Sequence, residues 1–161
     1  MSDRLKIASA LADLAEATPG GFALGLHIGL RGPMFLFTTF PLKWLSYYTE
    51  QGLQLRDPAV AWSLTNSGYV QWRDLAAQDP AGVIALAREY GLTHGATLAL
   101  VAGGSRTVVG VCRNDREYLD AELTRIGDVA NALHMATLGR GSLPAELELD
   151  LTRMSIRLSQ G

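Results

Sequence analysis

The order of elements along this chain predicts an α+β domain, an antiparallel sheet with helices on its faces. Two observations carry that prediction. The apolar, β-rich runs come as adjacent pairs, 22–30 with 34–40 and 96–104 with 106–114, whereas a doubly wound parallel sheet would alternate strands with helices. The intervals are filled by capped or amphipathic helical segments, giving the order α, β-β, α-α, α, β-β, α. With 161 residues, 48% of them hydrophobic, the chain suits one domain, 1–161, with a real core over about 5–140.

Residues 3–17 read as an amphipathic helix, because Leu5, Ile7, Leu11, Leu14 and Ala15 recur near a 3.6-residue period. Asp3 stands where a cap belongs, and 18-TPGG-21 stops the helix. The runs 22-FALGLHIGL-30 and 34-MFLFTTF-40 flank an Arg-Gly-Pro turn and read as an antiparallel pair. Pro41 opens a helix to about Gln51, which Gly52 ends. Asp57-Pro58 starts another over roughly 58–66. The stretch 67-SGYVQWRDL-75 shows no regular pattern. Asp79 is expected to cap a helix over 80–90 with Pro80 in its first turn, stopped by Gly91. A glycine-rich turn, 103-GGS-105, joins the second strand pair. A long helix is expected from Asp115 to Thr137, with Tyr118, Leu119, Leu123, Ile126, Ala130, Leu133 and Leu138 on its core side. The tail, 142–161, reads as a last short helix, a linker or the opening of something larger.

Composition narrows the function. A net charge of −2 with no Lys/Arg run leaves no basic patch for nucleic acid, so no DNA contact is expected from these residues alone. A single Cys112 excludes an internal disulfide and fits a reducing, cytoplasmic compartment. No signal peptide or membrane-spanning run is visible. His27, His94 and His134 are far apart in sequence and match no metal spacing, so they read as packing or surface residues. The segment 102-AGGSRT-107 lacks the glycine spacing of a phosphate-cradling loop, and no G-x-S-x-G elbow occurs. An enzyme is not expected, nor a metal or cofactor.

The informative stretch is 40-FPLKWLSYYTEQGLQLRDPAV-60. On a helix, Trp44 and Tyr48 are four residues apart and share a face, with Tyr47 and Leu45 on the flanks. Such a pair packs on a sheet as readily as it lines a pocket. Asp57 before Pro58 can cap the next helix. It can equally accept a hydrogen bond from a ligand amide. Trp44 and Tyr48 are donors, so the set suits a neutral molecule with carbonyls, an N–H and an alkyl chain. Trp72 is a further candidate wall.

Pro41, Trp44, Tyr48, Asp57, Pro58 and Trp72, at these spacings, resemble the ligand-binding domain of the LuxR-type quorum-sensing regulators, which bind N-acyl-homoserine lactones. Gly91-Leu92 and Gly95 ahead of the late hairpin are also similar. The resemblance implies an α-β-α sandwich around a five-stranded antiparallel sheet, GAF/PAS-like, of which four strands are visible above. It implies that Trp44 donates to the lactone carbonyl, that Asp57 accepts from the amide N–H, that Tyr48 walls the acyl chain near the amide, and that Trp72 lids the lactone side. Gly95 matches a position where backbone comes close to the ligand. Phe40 stands where the family has a tyrosine that donates to the acyl carbonyl; it fills the volume without the hydroxyl. The implied function is ligand sensing that controls transcription through dimerisation and an attached DNA-binding domain. The expected partners are a lactone or similar amphipathic molecule and a second copy, or a full-length regulator in a heterodimer. The alternative is a truncated or degenerate domain that has lost classical ligand binding and acts as a dimerisation or modulatory partner. Residues 151-LTRMSIRLSQG-161 distantly resemble the first helix of the family's DNA-binding domain.

Overall fold

The computed structural model describes residues 3–139. In chain order the elements are α1 (Asp3–Ala17), β1 (Gly21–Gly29), β2 (Gly32–Thr38), α2 (Leu42–Glu50), a 3-10 turn (Leu53–Arg56), α3 (Pro58–Thr65), β3 (Gly68–Gln71), a 3-10 segment (Trp72–Gln78), α4 (Val83–Glu89), β4 (His94–Ala102), β5 (Ser105–Arg113) and α5 (Asp120–Thr137). The five strands form one sheet in the order β2-β1-β5-β4-β3. Every neighbouring pair is antiparallel. The expected sandwich is therefore present.

Strand alternation sends two sets of side chains to opposite faces. Phe22, Leu24 and Leu26 of β1, Leu98 of β4, and Val109 and Val111 of β5 pack with Ile7, Leu11 and Leu14 of α1 and Leu123, Ile126 and Leu133 of α5. That is the main core. Ala23 and Cys112 face the other way, toward a second cluster with Phe40, Trp44, Leu53, Val83, Ala87 and Leu92. Between β4 and β5, Gly103 and Gly104 lie at φ +60° and +74°, the left-handed pair a type I′ hairpin turn demands.

The missing fifth strand is β3. It holds four residues, two of them Gly68 and Gln71, and it pairs on one side only, with Gly68 opposite Ala99 and Gln71 opposite Ala96. So short an edge strand leaves no periodic signal. Strand ends shift by one or two residues, and the starts of three helices differ from expectation. Pro41 sits at the N-cap of α2, one residue before the first turn. The helix expected at 80–90 begins at Val83, yet Asp79 still caps it, accepting from Val83 N and Ile84 N at 2.9 and 2.8 Å. The last helix begins at Asp120, not 115; Tyr118 is buried against the core, but Leu119 is 60% exposed. Glu117 reaches His94 at 3.1 Å and is half-buried. The tail at 142–161 lies outside the described residues.

The histidines give the largest surprise. His27 and His134, 107 positions apart, are buried with ring centroids 4.6 Å apart. His27 has φ +56°, a left-handed conformation unusual for a non-glycine residue. It reverses the alternation of β1, so His27 turns toward α5 like Leu26 before it. There its Nε2 lies 2.8 Å from Thr137 Oγ1 and its Nδ1 2.7 Å from Ser105 Oγ. His134 bridges Thr107 Oγ1, at 2.6 Å, and the Ala102 carbonyl, at 2.9 Å. Because Nε2 of His134 must donate to that carbonyl, its Nδ1 accepts from Thr107. Thr137 donates to the Leu133 carbonyl at 2.7 Å and so accepts from His27 Nε2, which leaves His27 Nδ1 to accept from Ser105. In this arrangement every ring nitrogen has one partner. Together the two rings fasten the end of α5 to the β4–β5 hairpin.

Candidate functional site

Between the sheet and the layer formed by α2, α3 and α4 lies an apolar cavity of about 210 Å³. It exists because the sheet floor there is built from small or short side chains, Ala23, Val108 and Gly110. A Cβ placed on Gly110 would meet nothing closer than Phe40 Cζ at 3.9 Å and Trp72 Cζ2 at 4.0 Å.

Trp44, 5% exposed, enters from α2. Its ring is held by Tyr48 at 5.5 Å and Tyr90 at 5.4 Å, both tilted, and Tyr47 stacks on Tyr90 at 5.5 Å. These offset and tilted contacts suit aromatic quadrupoles. The aromatic cluster packs Trp44 from outside and leaves its other side on the cavity. The indole N–H makes no hydrogen bond among the described residues.

Gly52, left-handed at φ +61°, and the 3-10 turn swing the chain so that Asp57 caps α3. Its Oδ1 accepts from Ala59 N at 2.9 Å, and its Oδ2 accepts from the Tyr48 hydroxyl at 2.8 Å. Asp57 thus caps α3 with one oxygen and takes the Tyr48 hydroxyl on the other, at the cavity wall, with lone pairs to spare. No Lys, Arg or His lines the cavity among the described residues. Burial raises the Asp57 carboxyl above its ordinary range, opposed by the bonds from Tyr48 and Ala59. The same burial, with the neighbouring Asp57 charge, pushes the Tyr48 phenol far up, so it stays a neutral donor.

Trp72 follows β3 directly and lines the cavity half-buried. Its Nε1 donates to Thr97 Oγ1 at 2.9 Å. Its ring lies on Gly95, where an added Cβ would overlap the ring atoms. Gly95 itself is outside the cavity wall, beneath Trp72. Phe40, 7% exposed, lines the cavity. It is placed by Thr38 and Thr39, whose hydroxyls engage Phe22 O at 2.9 Å and Phe22 N at 3.0 Å. Val83, Ile84 and Ala87 of α4, with Leu92 after it, make an apolar wall.

The structure therefore brings Phe40, Trp44, Tyr48, Asp57 and Trp72 around one cavity, with Gly95 supporting it from below. Sequence reasoning missed the α4 wall, the floor and Thr97. Only Thr97 carried a signal, as the lone polar side chain in the apolar run 96-ATLAL-100. Chemically the site offers one carboxylate acceptor, few donors and a hydrocarbon surface, so it can hold and orient a neutral amphipathic molecule. Among the described residues no group of His, Cys, Asp or Glu is placed to hold a metal ion, and no helix is long and apolar enough to cross a membrane.

The family model described as "Autoinducer binding domain" matches residues 21–137. No curated protein matches the sequence. Among solved structures, SdiA in complex with octanoyl-rac-glycerol aligns with a TM-score of 0.64 at 17% identity, over 98% of this chain and 71% of that one. The solution structure of Escherichia coli SdiA1-171 aligns at 0.62 and 19% identity, over 86% and 92% of the two chains. CepR2 from Burkholderia cenocepacia, an N-acylhomoserine lactone dependent LuxR family transcription factor, aligns at 0.56 and 16%, over 86% and 95%. At such identities these likenesses speak for the fold.

Proposed function

The chain belongs to the autoinducer-binding domain family, and on that premise we propose that it is the sensor domain of a LuxR-type transcriptional regulator. Its ligand is an N-acyl-homoserine lactone or a similar neutral amphipathic molecule. The observation that carries this reading is the apolar cavity with, among the described residues, an unspent indole N–H at Trp44 and a buried carboxylate, Asp57, that has no cationic partner.

In this reading the Trp44 indole donates to the lactone carbonyl and Asp57 accepts from the amide N–H. Tyr48 walls the amide end of the acyl chain and, by bonding Asp57, aims it. Trp72 closes the lactone side, seated on Gly95. The acyl chain lies against Val83, Ile84, Ala87 and Leu92. Each buried methylene contributes about 0.8 kcal/mol. A ligand that binds only the folded domain stabilises it by mass action, and that stabilisation supports dimerisation and an attached DNA-binding domain. A cavity of about 210 Å³ is small against the roughly 300–1,000 Å³ of ligand sites, which favours short and medium chains over long ones.

Phe40 favours a second reading, a modulatory partner that pairs with a full-length regulator without taking lactone. Thermal unfolding with lactones of increasing chain length separates the two. The sensor is stabilised by at least one chain length, and Trp44→Phe removes the effect. No stabilisation by any lactone, together with co-purification of a full-length regulator, favours the partner.

A further inference from the structure

Five side chains with N–H or O–H donors line the cavity: Trp44, Tyr48, Ser63, Trp72 and Thr97. Three have spent their protons. Tyr48 donates to Asp57 at 2.8 Å, Ser63 to the Val60 carbonyl at 2.8 Å, and Trp72 to Thr97 at 2.9 Å. Thr97 receives that last bond on its oxygen, and its own proton has no acceptor among the described residues. Trp44 and Thr97 therefore hold the two unspent side-chain donors, in a site with one carboxylate acceptor.

Position matters as much as capacity. Thr97 is 6% exposed on β4, and its cross-strand partner is Gly110 of β5. Directly opposed residues have Cβ positions about 4.5–5.5 Å apart. The Gly110 Cβ position is 3.9 Å from Phe40 Cζ, the ring carbon that would carry a hydroxyl were residue 40 a tyrosine. The bare Gly110 puts no side chain between the Phe40 ring tip and Thr97; the Trp72 ring edge borders the same spot, with Cζ2 4.0 Å from the Gly110 Cβ position. Asp57 sits at the head of α3 in the helical layer, whereas Thr97 belongs to the sheet floor. A trans amide points its N–H and its C=O in opposite directions, which matches an acceptor above and a donor below.

We infer that Thr97 is a ligand-binding residue that donates its hydroxyl proton to the ligand's acyl amide carbonyl, supplying from β4 the hydrogen bond that Phe40 cannot make. This rests on the sensor reading. Trp72 is a positioning partner: by donating to the Thr97 oxygen it turns the Thr97 proton toward the cavity.

The test is titration of the whole chain with N-octanoyl-L-homoserine lactone carrying ¹³C at the amide carbonyl, read by calorimetry and by the infrared amide band. Thr97→Val, which keeps shape and loses the hydroxyl, weakens binding roughly tenfold, the size of one buried hydrogen bond, and shifts the labelled band to higher frequency. Thr97→Ser retains most of the affinity. Phe40→Tyr combined with Thr97→Val restores binding, because the new hydroxyl reaches the same carbonyl. In a Trp72→Phe background Thr97→Val still weakens binding, by less than tenfold because the Thr97 proton is no longer aimed. Loss of the Thr97→Val effect in that background would mean that Thr97 acts only by seating Trp72, and would overturn the inference. So would wild-type affinity in Thr97→Val while Trp44→Phe loses binding, a result that leaves the sensor reading standing. Failure of the wild-type chain to bind any lactone overturns both.

Discussion

Replacing Gly95 by alanine puts a methyl group inside the Trp72 ring, since a Cβ built there overlaps three ring atoms. The ring must leave or the two strands must part. Overpacking of this kind costs about 1–3 kcal/mol. Displacing the indole also breaks its bond to Thr97, another ~1 kcal/mol. Alanine recovers about 0.5–1 kcal/mol through its lower backbone entropy in a strand. The net loss is about 1–3.5 kcal/mol, a fall in Tm of roughly 2–14 °C for a domain of this size. In a Trp72→Ala background the obstacle is gone, and Gly95→Ala becomes neutral or slightly stabilising. Urea unfolding of the four-member cycle measures the coupling, and tryptophan fluorescence reports the displaced indole. Equal costs of Gly95→Ala in both backgrounds would show that Trp72 is not seated on Gly95, and the account of the cavity's lactone-side lid would fail.

Tyr48→Phe removes the donor to Asp57 Oδ2 and should cost roughly 1–2 kcal/mol in chemical denaturation, because the bond reaches a charged acceptor in a part-buried site; unchanged stability would mean that solvent replaces the hydroxyl. Gly110→Ala meets no atom within 3.9 Å, so it should leave the free domain as stable or slightly stabler while shrinking the cavity and weakening lactone binding; a thermal melt and a titration on the same variant must move in opposite directions. Burial, reinforced by the neighbouring His134 ring, depresses the His27 pKa below its ordinary 6.5, so the unfolded chain takes up a proton that the folded chain resists. Stability contributed by neutral His27 is then full above pH 6.5 and is lost as pH falls through the depressed folded value. The groups facing the His27 ring are His134 and Thr137 of α5 and Ser105 of β5; Asp57, whose raised pKa acts in the opposite sense, is in the other layer. Asn tolerates left-handed backbone, so His27→Asn should flatten the slope of unfolding free energy against pH just below 6.5; an unaltered slope would assign the pH dependence elsewhere.

The strand pairs, the caps at Asp57 and Asp79 and the core stripe of α5 were legible because each depends on local chemistry and periodicity. β3 was not, because a four-residue edge strand with Gly68 at its start repeats nothing. The approach of His27 to His134 was invisible because it needs both the sandwich topology and a left-handed residue within β1. The site divided in the same way. Trp44, Tyr48 and Asp57 lie within fourteen residues and share consecutive elements, so spacing could gather them. Gly110 meets Phe40, and Thr97 stands opposite Gly110, only through the β4–β5 register and the placement of β1 beside β5, which no local pattern encodes.

Calorimetric titration of the chain with N-acyl-homoserine lactones of four to twelve acyl carbons tests the central claim most directly. The account predicts saturable one-site binding that strengthens with each added methylene until the chain outgrows the cavity, and that is lost in both Trp44→Phe and Asp57→Asn. Binding that survives both substitutions, or no heat at any chain length from a folded protein, would contradict it.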